Sequence, residues 1–170
     1  MLAGPKAAQL QEPPEHALGY SKGGFGTKVH LLCDRHGIIL GIYLTPGQRH
    51  DSKGFEPTMR RVLLPHHRGR GYWPERMAGD KGYSYRPIRR WIKRRGIRGV
   101  IPTRKDQPQD LDFEKPQYRR RNIVERTVGW YKECRRLTTR YEKLAVNYLA
   151  FWLVAMIEKN LHRLGFSDTA

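Results

Sequence analysis

Two apolar runs separated by a short turn decide most of what this chain is able to become. The segments "TKVHLLCD" and "GIILGIYLT" flank "DRHG" at positions 34–37, and Asp followed by Gly in such a place makes a turn. The pair therefore reads as the two strands of a β-hairpin. The second run is apolar at nearly every position instead of alternating, as expected of a strand covered on both faces. Covering both faces takes helices, and the rest of the chain supplies them. "DSKGFEPTMRRVLLP" offers Asp51 or Ser52 as an N-cap and Pro65 as a stop. After the basic loop "HHRGRGYWPER", "RMAGD" reads as a short strand ending at Asp80. "YRPIRRWIKRRG" is a helix with Pro87 in its first turn, Ile88, Trp91 and Ile92 inward, and Gly96 as its stop. "IRGVIPT" gives another strand, and beyond the polar loop "RKDQPQDLDFEKP" two long helices are expected, roughly over 118–142 and 144–164. The order β-β-α-β-α-β-α-α predicts an α/β domain with a mixed sheet. Residues 1–24, rich in Pro, Ala, Gln and Gly without a sustained period, read as a linker or disordered arm, leaving 25–170 as the domain.

Charge narrows the partner. Lys and Arg number 33 against 16 Asp and Glu, a net +17 that concentrates polyanions at the surface, and nucleic acid is the polyanion of choice. An anionic membrane is the rival, but the longest apolar run, "YLAFWLVAMI" at 148–157, is about half the ~20 residues a span requires and reads as a buried helix. The first residues lack the apolar stretch of a signal peptide. Cys33 and Cys134 make neither a CxxC pair nor a disulfide framework, which suits a reducing cytoplasm. None of the seven histidines stands at zinc-binding spacing: His66 and His67 are adjacent in a basic loop, and His30 alternates along a strand. "SKGGFGTK" lacks the spacing of a phosphate-binding loop, so no nucleotide is implied.

The stretch "YRRRNIVERTVGWYK" at 118–132 holds one glutamate among many arginines. On a helix at about 100° per residue, Tyr118, Arg121, Glu125, Gly129 and Lys132 share an arc of roughly 80°. One reading is an ordinary amphipathic helix in which Glu125 pairs with Arg121, worth a few tenths of a kcal/mol. The other joins Glu125 to Asp80, a carboxylate at the C-terminal end of a strand, where open α/β sheets bind ligands. Two carboxylates from separate elements, set among cations, suit Mg²⁺, which takes a few hard oxygens and leaves positions for water and substrate phosphate. Arg121 and Lys132 are then placed to hold a DNA backbone, and Gly129 to leave the face open. Nine Lys and Arg between Arg86 and Lys105, interleaved with Tyr83, Tyr85 and Trp91, make a candidate DNA-tracking surface.

The spacing Tyr118, Arg121, Glu125, Lys132 resembles the Tyr-Arg-Glu-Lys signature of the DDE transposases of bacterial insertion sequences. "SKGGFGTKVHLLCD", "LTPGQRHDS", "AGDKGYSY", "VIPTRKDQ" and "RRRNIVERTVGWYKECRRL" are similar to segments of that family in the expected order. The resemblance implies an RNase H-like mixed sheet flanked by helices. It implies Asp80 and Glu125 as the second and third catalytic acids and metal ligands, and two Mg²⁺ ions, with Mn²⁺ able to substitute. It further implies DNA contacts from Tyr118, Arg121, Lys132, Lys81 and Arg126, with transposon ends and target DNA as partners and a homodimer as the complete enzyme. The family's first acid stands on a first strand that this chain does not show. Residues 1–24 contain no Asp, Asp34 sits in the hairpin turn, and Asp51 follows the second run, so none matches that position. The expectation is thus the C-terminal part of a catalytic domain lacking its first strand, completed by an N-terminal transposase segment. The rival expectation is a basic DNA-binding protein without catalysis, such as an inactive transposase remnant.

Overall fold

The computed structural model describes residues 13–62, 66–67, 70–71 and 73–165. The chain enters through a single 3-10 turn, Pro14–His16, and strand β1, Gly19–Ser21. Strand β2, Gly24–Cys33, and strand β3, Ile39–Pro46, form the expected hairpin, paired antiparallel from Thr27 opposite Pro46 to Leu32 opposite Gly41. Asp34 makes the turn by accepting the amides of His36 and Ile38 through Oδ1, both at 2.8 Å, and Gly37 takes a φ of 77° there. Register then slips, because Cys33 pairs with Ile39 and leaves Leu40 as an extra residue. This bulge turns Ile39 onto the same face as Ile42 and Leu44, all three buried.

Helix α1, Ser52–Arg60, follows. Asp51 takes the N-cap position without capping, because its carboxylate is drawn to Lys28 instead, 2.8 Å away. The expected basic loop carries two short antiparallel strands, β4 at His66–His67 and β5 at Arg70–Gly71; positions 68–69 and 72 of that loop, and 63–65 with the expected helix stop at Pro65, lie outside the described residues. Strand β6, Arg76–Ala78, helix α2, Arg86–Arg94, and strand β7, Arg98–Val100, form a right-sized β-α-β unit with β6 parallel to β7. Both strands are shorter than their apolar segments suggest, and Asp80 lies just beyond β6.

The first of the two long helices is broken into α3, Lys115–Arg119, α4, Asn122–Lys132, and α5, Arg135–Thr138. At the first break the amides of Arg121, Ile123 and Val124 bond three residues back instead of four. At the second, Cys134 turns extended and the Thr138 hydroxyl takes the carbonyl of Lys132 at 2.5 Å, ending α4 by competition for its last acceptors. Helix α6, Ala145–Arg163, is continuous as expected.

Two apolar clusters organise these elements. One joins Ile39, Ile42 and Leu44 of β3 to Tyr131, Leu137, Tyr148, Trp152 and Ala155 of the C-terminal helices. The other joins Phe55 and Met59 of α1 to Met77, Ile88, Ile92, Ile97 and Ile101 around the β-α-β unit. The architecture is α/β, with sheet order β1-β2-β3 separate from the β6-β7 pair. Part of the segment expected as an arm is built into it. Ala17 is buried in the first cluster and β1 pairs with β2 over Gly19–Ser21, both secured by Thr27 donating to the Ala17 carbonyl at 2.7 Å. Residues 1–12 of that call lie outside the described residues.

Candidate active site

Asp80 stands at the mouth of a 3-10 turn, Lys81–Tyr83, and caps it by accepting the Lys81 amide at 2.5 Å through Oδ1. Both Asp80 and Lys81 are exposed. The turn is held from behind by a buried polar chain. Tyr83 hydroxyl lies 3.3 Å from Nδ1 of His30, and Nε2 of His30 lies 2.8 Å from the Thr45 hydroxyl. His30 and Thr45 are both buried, and Gly54 of α1 presses on the imidazole so closely that a Cβ there would sit 2.4 Å from three ring atoms. Burial lowers the His30 pKa, with the positive charge of Lys28 adding to the effect and Asp51 opposing it. Burial likewise pushes the Tyr83 phenol up to about 12, helped by Asp51 and Asp80. The chain therefore consists of neutral groups, sharing hydrogen bonds between β2, β3 and the Asp80 turn.

Glu125 projects from α4 with its side chain 59% exposed and takes Arg121 at 2.5 Å, one turn back. This is the ordinary helix pair that the spacing allows, but the guanidinium answers to more than Glu125. Partial burial works against its charge, yet the hydrogen bond to Glu125 and the fields of Tyr118, Glu125 and Asp80 raise its pKa overall. Asp80 adds the least of these fields, and among the described residues the ion-pair partner of Arg121 is Glu125. Tyr118 stands on α3 and not on the helix of Glu125, but the ring still lies under Arg121, 5.6 Å from its guanidinium, with Phe113 behind it at 5.4 Å. Arg126 and Lys132 are exposed on α4. Gly129 is exposed as well, and a Cβ there would meet open space.

The α2 surface is basic, with Arg86, Arg90, Lys93, Arg94 and Arg95 exposed. Its aromatics are mostly committed elsewhere. Trp91 packs edge-on against Phe55 at 5.2 Å and under Arg95 at 3.6 Å, and Tyr83 serves the polar chain, leaving Tyr85 as the exposed ring of the three. Among the described residues no group of three or more His, Cys, Asp or Glu is placed to hold a metal ion, and no helix is long and apolar enough to cross a membrane.

Sequence reasoning passed over Lys28 and read Asp51 only as a helix cap and as a mismatch to the first acid. Lys28 bridges the Asp51 carboxylate and the Arg49 carbonyl, at 2.8 and 2.7 Å, and Asp51 stands beside Gly82 in the Asp80 turn. The available signal was His30 itself, a polar residue inside an apolar run. An apolar cleft of about 60 Å³ separates β2 from β6, lined by His30, Leu31 and Leu32 on one side and Met77, Ala78 and Gly79 on the other, with α1 as its floor. No backbone hydrogen bond joins β2 to β6 among the described residues.

The family model for the transposase DDE domain matches residues 5–157. A Burkholderia cepacia protein assigned as transposase for insertion sequence element IS402 is 32% identical over 130 residues, covering 74% of this chain. The chain spans 58% of that relative's length. No solved structure matches at a significant level.

Proposed function

The chain belongs to the transposase DDE domain family, and on that footing we propose that it is the C-terminal part of the catalytic domain of an insertion-sequence transposase. It acts in the cytoplasm on transposon ends and target DNA, as a polynucleotidyl transferase. The observation that carries this reading is the Arg121–Glu125 pair on α4, with the Tyr118 ring under the guanidinium, in a chain that matches the DDE domain over residues 5–157. Asp80 is engaged through Oδ1 and Glu125 through Oε1, which leaves the second oxygen of each without a hydrogen bond among the described residues. This donor set fits one Mg²⁺ or Mn²⁺, ions that are held by one or two carboxylates together with substrate phosphate. When bound, the metal supplies Lewis-acid polarisation of the scissile phosphate.

The chain's own residues do the rest. Arg121 exchanges Glu125 for a phosphate, which its fork contacts with two parallel hydrogen bonds. Lys81, Arg126 and Lys132 neutralise neighbouring phosphates, and Tyr118 orients Arg121 while offering its hydroxyl to the backbone. The His30 chain holds the Asp80 turn against the sheet. Water attacks phosphorus, the bond to the 3′-oxygen breaks, and the freed 3′-hydroxyl then attacks target DNA in the same manner.

The complete site takes two metal ions and a further carboxylate, supplied on a strand seated between β2 and β6. The support is that β2 and β6 share no backbone hydrogen bond among the described residues, and that the apolar cleft between them runs from His30, Leu31 and Leu32 to Met77, Ala78 and Gly79, the residue before Asp80. With that strand in place the order becomes that of an RNase H-like sheet, and the complete enzyme works as a homodimer. The test compares Mg²⁺-dependent nicking of labelled end DNA by this chain and by the chain supplied with an Asp-bearing strand, fused or co-expressed. Nicking gained with the strand and lost in Asp80→Asn and Glu125→Gln is expected. Nicking at unchanged speed in Glu125→Gln returns that residue to a surface ion pair. No nicking in any form, with DNA binding intact, assigns the chain to the non-catalytic remnant.

A further inference from the structure

His50 and Arg104 have no role in the chemistry proposed above, yet the fold brings their segments, "LTPGQRHDS" and "VIPTRKDQ", together at the Asp80 turn. Nη2 of Arg104 lies 3.4 Å from Nε2 of His50 and 3.4 Å from the carbonyl of Gly82 inside that turn. What the imidazole presents to Arg104 is decided on its other side. The Ser52 amide donates to Nδ1 of His50 at 3.2 Å. An amide nitrogen is only a donor, so Nδ1 is the bare nitrogen of the ring and Nε2 carries the proton. The Ser52 hydroxyl, 2.8 Å from the same Nδ1, is free to donate to it as well. A guanidinium has no acceptor either. Nε2 and Nη2 therefore meet as two donors with nothing between them to accept. Both are held in place: Ser52 fixes the imidazole, and Gln107 fixes the backbone of Arg104. The Gln107 side chain accepts the Arg104 amide at 3.2 Å and the hydroxyl of fully buried Ser84 at 2.5 Å, and donates to the Ser84 carbonyl at 2.9 Å. Among the described residues neither His50 nor Arg104 pairs with a carboxylate, and Asp51, next to His50 in the chain, is taken by Lys28 at 2.8 Å.

We propose that His50 and Arg104 together hold one phosphate of the DNA backbone, whose oxygens fill the place where the two donors meet. The inference rests on DNA as the partner, as proposed above, and not on catalysis. An oxyanion satisfies two converging N–H groups at once, and a phosphodiester keeps two unesterified oxygens to offer them, the bond from Arg104 being charge-assisted. A net charge of +17 selects a polyanion as the source of that group. The contact positions the strand and reads no sequence. Because Arg104 also reaches the Gly82 carbonyl, the phosphate it holds stands against the turn that carries Asp80. A strand held there and at Arg121 is fixed at two points.

The experiment measures binding of a labelled DNA duplex by fluorescence anisotropy across a salt series, without phosphate buffer or divalent metal, at about pH 8, above the range in which histidine switches. Arg104→Gln should weaken binding about eight-fold at about 0.1 M salt and lower the slope of log K against log salt by about 0.9, the share of one released counterion. His50→Ala removes a neutral donor, so it should weaken binding about five-fold and leave the slope as it is. The two losses should not multiply. Without Arg104 the phosphate is no longer held, and the double variant should match Arg104→Gln to within about two-fold. Circular dichroism checks that each variant is folded, and a measurement on the wild-type chain needs no variant to fold. Its long-range 1H–15N spectra should show His50 protonated at Nε2, with ring resonances that move when the duplex is added. His50 protonated at Nδ1, affinity and slope unchanged in both single variants, or losses that multiply would overturn the proposal. Ring resonances that move with inorganic phosphate but not with the duplex would make this a site for the free anion and overturn it too. A wild-type chain that binds no duplex would overturn it together with DNA as the partner, whereas absence of nicking with these results intact would count against the catalytic reading alone.

Discussion

Replacing Thr45 by Val probes the buried chain behind Asp80 most directly. Valine keeps the branched shape but removes the hydroxyl 2.8 Å from Nε2 of His30, at a site where both residues are at most 4% exposed. A buried polar atom left unpaired costs about 1–3 kcal/mol. In a protein of this size each kcal/mol lowers Tm by about 2–4 °C, so a mid-range cost of about 2 kcal/mol means roughly 4–8 °C. Tyr83→Phe removes the longer bond, 3.3 Å, from a ring that is only half-buried, and about 1 kcal/mol is expected. Because both hydroxyls serve one imidazole, the double variant should depart from additivity by about 0.5 kcal/mol or more. The imidazole also imposes a pH dependence. Burial lowers the His30 pKa from 6.5, so on acidification the unfolded chain takes up the proton first. Stability present above pH 6.5 is therefore lost as pH falls from there towards the folded pKa, at no more than about 1.4 kcal/mol per pH unit. His30→Gln should remove that component. Thermal and urea unfolding followed by circular dichroism, at pH 8 and down to pH 5, supply every value. A Thr45→Val cost below about 0.5 kcal/mol, or a pH slope shared by His30→Gln, would refute the reasoning.

DNA affinity should be mainly electrostatic, falling about 10³ to 10⁵-fold between roughly 50 and 200 mM salt if six to ten phosphates are contacted, measured by fluorescence anisotropy on unrelated duplexes. Glu125→Gln should alter stability by less than about 1 kcal/mol, because the pair with Arg121 is largely exposed, and urea midpoints will report it. Trp152→Ala removes a ring buried against Tyr131 and Tyr148 and should cost about 3–5 kcal/mol in the same assay.

The elements that sequence made legible are those whose pattern is local. The hairpin around Asp34, the proline-started α2 and the long α6 announce themselves through turn chemistry, capping residues and unbroken apolar runs. The breaks within 118–142 do not, because they arise where three-residue bonds and the Thr138 hydroxyl compete with helical ones, with neither Gly nor Pro to mark the place. The bulge at Leu40 is similarly silent. On α4, the spacing from Tyr118 to Lys132 led to the Arg121–Glu125 pair without the fold. Asp51 was first a cap and His30 one residue of a strand, since their partners Lys28, Thr45 and Tyr83 are brought to them only by tertiary packing. The aromatics near α2 went the other way, as Trp91 proved more useful to the core than to the surface.

The gap between β2 and β6 also sets how the molecule comes apart. The His30 chain bridges the two sides, but among the described residues no ladder of backbone hydrogen bonds joins β2 to β6, so little obliges the two apolar clusters to open together. Amide hydrogens of β6, β7 and α2 then exchange through an opening that leaves β2, β3 and the C-terminal helices closed, giving two tiers of protection in one small chain. A strand laid across the gap would tie the tiers by backbone pairing on both sides. If the proposed carboxylate-bearing strand fills the gap, assembly of the site and cooperativity of the fold become one event.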